Sequence, residues 1–264
     1  MNAGAIQLKL AQEKGLLPGN RSLFLKPRGK PKAHVLLLHG FSASPWEVAE
    51  YARHLRKKGC LVYAPRLAGH GAGSAEFNAH GRADWLADAE AAFAALVPAK
   101  GKLALVGHSG GGALAALLAD RHAGQVSCLV LAAPAFRLRD RMAPFSLLRV
   151  VRFFRPELHF EPVHPDSQYW TLDYRSDRIA ELVRLGREAK AVLPRLGLPL
   201  LMVQASGDEL VSAGTNLALF EKIPEGAKTL FTYETNEHNV LHHYNPIQAK
   251  VFGLVDGFLK RHAF

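Results

Sequence analysis

Leu103-Ala104-Leu105-Val106-Gly107-His108-Ser109-Gly110-Gly111 is the stretch on which the reading of this chain turns. Its first five residues form a short apolar run of the kind that makes a strand buried on both faces. Just beyond it, Ala113 to Ala119 is apolar almost all round, which predicts a buried helix under the sheet centre. Ser109 stands between them with glycines two residues before and two residues after. With 11 serines and 23 glycines in 264 residues, composition supplies about 0.08 such matches by chance, before strand and helix flanks are required. A tight strand-to-helix turn explains the spacing. Neighbouring segments come too close for side chains at the two glycines, and the hydroxyl is pushed out above the sheet edge. No Gly-Lys-Ser/Thr follows, so a phosphate cradle is the weaker reading.

Working outward, similar runs recur at Leu23–Lys26, His34–Leu38, Cys60–Ala64, Val126–Ala132, Leu200–Ala205 and Lys228–Tyr233. Between them Trp46, Ala49, Ala52 and Leu55 repeat at helical spacing, as do Trp85, Ala89, Phe93 and Leu96, and Ile247, Val251, Leu254 and Phe258. Strands alternating with amphipathic helices predict an α/β protein, a parallel sheet with helices on both faces. The alternation breaks over 135–196, which is rich in arginine and aromatic residues, carries several prolines and shows no clear strand. The expected organisation is a core of 1–134 and 197–264 interrupted by a helical lid or cap at 135–196.

A serine hydroxyl becomes a useful nucleophile only when a base takes its proton and a third group fixes that base. Asp208 follows the strand Leu200–Ala205, and His238 follows Lys228–Tyr233. Ser109, Asp208 and His238 therefore come in the chain order of the strand-borne version of this triad. Glu209 is the competing acid, with Glu237 and Glu234 behind it. His238 and His242 have a zinc-like spacing, but Asn239 stands where a metalloprotease motif needs glutamate, and no metal site is expected. Negative charge developing on a substrate oxygen calls for two backbone N–H donors. Gly110, opening the helix after the serine, supplies one; Phe41, in the loop His39-Gly40-Phe41 after an earlier strand, is the candidate for the other. His39 itself reads as a structural loop histidine.

Composition narrows the function classes. The chain is 48% hydrophobic and 21% charged, a globular balance, and no apolar run approaches the ~18 residues that span a bilayer. The formal net charge of +10 comes without a zinc-finger spacing, an RNP-like motif or a long basic block, so nucleic acid is not the expected partner. Cys60 and Cys128 each fall in a strand-like run and are expected as free core thiols. The first residues lack the basic start and apolar centre of a secretory signal, which makes the cytoplasm the expected location.

At these residues the sequence resembles the α/β-hydrolase superfamily. His39-Gly40-Phe41, Gly69-His70-Gly71, Gly107-His108-Ser109-Gly110-Gly111, Gly207-Asp208 and His238 together look like its carboxylesterase and monoacylglycerol-lipase branch. The resemblance runs from Leu23 to the C-terminus. It implies an eight-stranded, mostly parallel sheet, a small lid after Val126–Ala132, and cofactor-free hydrolysis through an acyl-enzyme on Ser109, with His238 as base, Asp208 as its partner and the Phe41 and Gly110 amides as oxyanion hole. Glu237 departs from the small residue or glycine that many relatives carry before the histidine. The implied substrate is a small to medium-chain acyl ester, monoacylglycerol-like or similarly hydrophobic. A carbon–carbon bond hydrolase and a non-catalytic ligand-binding protein of the same fold are the alternatives.

The insertion carries many large apolar side chains, among them Phe136, Phe145, Phe153 and Trp170. Phe136 and Phe145 are expected to face the substrate from above, with Phe41, Trp46 and Val211 below. Arg137, Arg139, Arg141, Arg149, Arg152 and Arg155 give the same segment a basic face suited to transient contact with an anionic lipid surface.

Overall fold

The computed structural model describes residues 2–99, 102–139, 157–162, 165–226 and 228–264. Seven strands form one sheet: β1 (Leu23–Leu25), β2 (Ala33–Leu38), β3 (Cys60–Ala64), β4 (Leu103–His108), β5 (Val126–Ala132), β8 (Leu200–Ala205) and β9 (Lys228–Tyr233). Their spatial order is β1-β3-β2-β4-β5-β8-β9, and every pairing is parallel except β1 with β3. These are the seven runs read from the residues. The eighth strand, implied by family resemblance alone, is absent from this sheet among the described residues.

Two cores follow from the two-residue period of the strands. Leu36, Leu38, Leu105, Leu129, Leu131 and Met202 face one side. There they pack with α1 (Ala3–Gln12), α4 (Arg82–Leu96), α5 (Gly110–Arg121) and α6 (Ser176–Val192). Val35, Leu37, Val106, Val130 and Val203 face the other, against α2 (Trp46–Lys57) and α8 (Gln248–His262). Leu114 to Ala119 of α5 are all buried, because that helix lies between the sheet and α6. The remaining helices are α3 (Ser74–Ala79) and α7 (Ala213–Glu221). Cys60 and Cys128 are free and buried, and burial pushes each thiol up to about 12. Among the described residues no helix is long and apolar enough to cross a membrane.

The segment expected to hold no strand contains a small antiparallel ribbon, β6 (Glu157–His159) with β7 (Asp173–Arg175). Each strand has three residues with one apolar side chain at its centre, too short for periodicity to show. α6 then runs back along α5.

The chain switches direction at the sheet centre. β2 leads outward to β3, and the next strand, β4, returns to the other flank of β2. The carboxyl ends of these two strands mark a topological switch point, the usual place for a ligand in an open α/β sheet.

Candidate active site

Ser109 stands at that switch point, at the turn from β4 to α5, with φ 52° and ψ −118°. This left-handed backbone costs a residue with a Cβ about 1–3 kcal/mol, and the surroundings impose it. A Cβ on Gly107 would lie 2.3 Å from the Gly111 carbonyl oxygen, and one on Gly111 would lie 2.3 Å from that of Leu38. Only glycine lets β4, α5 and the end of β2 meet this closely. Ser109 N–H donates to the Ala132 carbonyl at 2.9 Å, while the Ser109 carbonyl accepts from Ala135 N–H at 2.9 Å, so the turn is fixed from both sides.

The loops after β8 and β9 come together in the same manner. A Cβ on Gly207 would lie 2.3 Å from Asn236 Oδ1, and Gly207 N–H donates to the Thr235 carbonyl at 3.2 Å. That approach sets Asp208 against His238. Asp208 Oδ1 accepts from Leu210 and Val211 N–H, both at 2.9 Å, and His238 Nδ1 lies 3.0 Å from Oδ1 and 2.8 Å from Oδ2. Asp208 is 1% exposed. Burial alone would raise its pKa, but His238 and the two backbone donors outweigh it and hold the carboxyl below its ordinary value. An ionised carboxylate only accepts, so Nδ1 carries the imidazole proton and Nε2 keeps its lone pair. His238 Nε2 is buried and has no hydrogen-bond partner among the described residues. The ring centroid also lies 5.0 Å from that of His108, the residue before Ser109.

Glu209, the competing acid, is exposed, as are Glu234 and Glu237. Adjacent positions after a strand point in different directions, and here the chain turns Asp208 inward.

The two expected backbone donors also converge. Phe41 N lies 3.2 Å from where a Gly110 Cβ would stand, and a Gly40 Cβ would be 3.2 Å from Ser109 Cβ. Gly110 opens α5, where the first N–H groups lack helical acceptors and the helix dipole is positive. His39 is a structural residue. Its Nδ1 lies 2.9 Å from the Gly40 carbonyl, and Leu67 N–H donates to its Nε2 at 3.2 Å, which makes it neutral. Burial pushes its pKa down to about 4.

The Phe41 ring meets Phe77, Trp85 and Tyr174 edge-on, with centroids 5.1, 5.7 and 5.2 Å away. Trp46 stacks on Tyr169 at 4.2 Å. Both contacts tie the core to the 135–196 segment, and Thr171 N–H adds a 2.7 Å bond to the Ser42 carbonyl in the loop after β2. Val211 is buried, with its N–H on Asp208, and Phe136 is buried in the main core. Phe145 lies outside the described residues, as do Phe153, Arg141, Arg149, Arg152 and Arg155.

Asp166, His242 and His243 bring one potential metal-ligand atom each to within 4.8 Å of one another. The Asp166 carboxylate is already engaged by the Tyr244 hydroxyl, and His242 Nε2 lies 3.5 Å from it, so the group closes as a polar contact between the insertion and the loop after His238. Sequence reasoning missed four buried polar residues that frame the site. Gln204 Nε2 lies 3.3 Å from Asp208 Oδ2, Asn216 Nδ2 donates to Gln204 Oε1 at 2.7 Å, and Glu47 faces His108 at 3.1 Å. His108 lies within the serine motif but its spacing names no partner, the other three sit in no recognisable spacing, and only the fold pairs them.

Comparison with known proteins places this geometry in context. The family described as serine aminopeptidase, S33 matches residues 29–169 and 161–245. Human monoglyceride lipase is 29% identical over 248 residues, covering 83% of this chain and 79% of that protein. A thermostable monoacylglycerol lipase of Bacillus sp. (strain H-257) is 26% identical over 207 residues, covering 77% and 82%. Among solved structures, one of the metagenome-derived lipolytic enzymes LipS and LipT superposes with a TM-score of 0.82 at 25% identity, over 94% of this chain and 100% of that one. A monoglyceride lipase of Saccharomyces cerevisiae bound to a substrate analogue has a TM-score of 0.75 at 14% identity, over 92% of each chain, and shares the fold.

Proposed function

The chain belongs to the serine aminopeptidase S33 family of α/β-hydrolases, and from that premise we propose that it is a serine carboxylic-ester hydrolase acting on small to medium-chain hydrophobic esters, monoacylglycerols among them. The observation that carries this reading is the Asp208–His238 contact, which fixes the imidazole and leaves a buried Nε2 with no hydrogen-bond partner among the described residues, in a ring packed 5.0 Å from that of His108, the residue before Ser109. The names of the relatives point to the substrate class.

In this mechanism Ser109 Oγ attacks the ester carbonyl carbon as His238 Nε2 takes its proton. The Asp208 carboxylate stabilises the imidazolium that forms. The negative charge on the former carbonyl oxygen falls to the N–H groups of Phe41 and Gly110. Collapse expels the alcohol, which leaves with the proton from His238, and an acyl group remains on Ser109. Water then repeats the sequence with His238 again as base, releasing the acid and restoring the hydroxyl. Among the described residues, the two buried carboxylates at the site, Glu47 and Asp208, are both engaged by histidines, which leaves neither of these two to hold the α-ammonium of a peptide substrate. Residues 135–196 act as the cap in this reading, supported by the contacts of Tyr169, Thr171 and Tyr174 with the core around Phe41.

Hydrolysis of a p-nitrophenyl ester series from acetate to palmitate tests the proposal. The wild type is expected to turn over esters with a defined chain-length optimum, and Ser109→Ala to lose that turnover. A folded wild type inactive on every chain length but active on a vinylogous diketone would shift the assignment to carbon–carbon hydrolysis. Inactivity on both would point to a binding protein.

A further inference from the structure

Beneath the site lies a buried ion pair that the triad does not use. Glu47 stands in the first turn of α2, 7% exposed, and His108 ends β4, 0% exposed. Glu47 Oε2 accepts the Gly40 N–H at 2.6 Å and lies 3.1 Å from His108 Nδ1. With His108 protonated, that 3.1 Å Nδ1 contact is an ion pair. On the other side of the ring, His108 Nε2 lies 3.3 Å from the His238 carbonyl oxygen. Each ring nitrogen faces an atom that only accepts, an arrangement that suits a doubly protonated imidazolium. The electrostatics agree. Burial disfavours both charges, but His108 and the Gly40 N–H hold Glu47 down to about 2, and Glu47 raises His108 above its ordinary value.

A buried ion pair is weak evidence for stability, since a well-packed apolar pair of similar volume is often as good. What this pair supplies is direction. It reaches three backbone pieces at once: Gly40, whose peptide carbon bears the Phe41 N–H; His108, whose carbonyl joins the Ser109 turn; and the carbonyl of His238. Gly40 is the fitting residue at the junction, because a Cβ there would stand 3.1 Å from Glu47 Oε2 and 3.2 Å from Ser109 Cβ.

We propose that the Glu47–His108 ion pair is a positioning device that fixes the oxyanion loop, the nucleophile turn and the His238 loop relative to one another. This rests on the reading of Ser109, Asp208 and His238 as the triad. Both partners are buried beneath the loops they hold, so they act through their neighbours.

The test compares Glu47→Gln, His108→Gln and the double variant on p-nitrophenyl butyrate, with active sites counted by fluorophosphonate labelling so that only folded, competent enzyme enters kcat. Each single variant leaves one buried charge without its partner and is expected to lose about 10- to 100-fold in kcat per labelled site, with KM little changed, as a small misplacement of reacting groups does. The double variant removes both charges and is expected to lose less than the product of the two single losses. Glu47→Asp is the safeguard if either glutamine variant fails to fold. It keeps the charge but withdraws the oxygen from Gly40, and it is expected to lower kcat while the protein still melts cooperatively. Variants that melt at lower temperature yet keep wild-type kcat per labelled site would overturn the proposal and leave the pair a structural contact. A wild type that is neither labelled nor active would instead bring down the triad reading beneath it.

Discussion

His238 holds its Nδ1 2.8 Å from Asp208 Oδ2 while its Nε2 lies buried with no hydrogen-bond partner. The first contact assigns the proton on the ring, and the second leaves the lone pair available to a hydroxyl.

Asp208→Asn tests that assignment. Asparagine keeps an oxygen for the Leu210 and Val211 N–H groups, so the loop is expected to hold its shape. Its NH2 can instead donate to Nδ1, which moves the ring proton to Nε2. Activity on p-nitrophenyl esters is expected to fall about 10³- to 10⁴-fold in kcat, with the melting temperature within a few degrees of wild type. A loss below 10-fold would mean that a different acid serves His238.

Gly111→Ala tests the turn. The new methyl would meet the Leu38 and His39 carbonyl oxygens at 2.3 and 2.5 Å, both backbone atoms that cannot step aside. Urea unfolding is expected to show a loss of about 3 kcal/mol or more, at or above the top of the usual overpacking range. Gly253→Ala is the control, an exposed helical site with nothing within 4 Å of the added methyl, where a gain of about 0.5–1 kcal/mol is expected.

Acid should destabilise the fold well before the carboxylates titrate. His39 is pushed down to about 4 and His70 well below its ordinary value by burial, so both stay neutral in the folded protein while the unfolded chain takes up protons below pH 6.5. The unfolded state then binds more protons, and stability falls with pH at about 1.4 kcal/mol per unit for each histidine. His108 has the opposite sign. Its raised value makes its contribution complete below 6.5 and lost only as pH rises through that value. Glu47 and Asp208, both lowered, lose their contributions only as pH falls below 4.5 and 3.8. Urea midpoints at pH 7 and pH 5 check the sum: the midpoint is expected to be clearly lower at pH 5, and equal midpoints would contradict the neutral assignment of His39 and His70.

The strands of the main sheet were legible because five of them, β2, β3, β4, β5 and β8, are almost wholly buried, so they read as apolar runs whatever their neighbours. The ribbon at Glu157–His159 and Asp173–Arg175 was not, because one central apolar residue per strand carries no period. Ser109, Asp208 and His238 stand out as candidates because each follows a strand end in a fixed order and glycine spacing marks the first, and the structure brings Asp208 and His238 into contact. Glu47 and His108 could not be paired from sequence. A glutamate in a first helical turn and a histidine at a strand end are each ordinary, and only the β2–β4 adjacency brings them to 3.1 Å. Likewise the Phe41 ring finds Tyr174 only because β7 packs against the loop after β2 in the folded chain.

The most direct test of the central claim is covalent labelling with a fluorophosphonate, followed by peptide mapping of the adduct. The reagent needs an activated serine, so the expected result is one adduct, on Ser109, absent in Ser109→Ala and formed far more slowly in His238→Gln. An adduct on another residue, or ester hydrolysis by a folded wild type that Ser109→Ala retains, would contradict it.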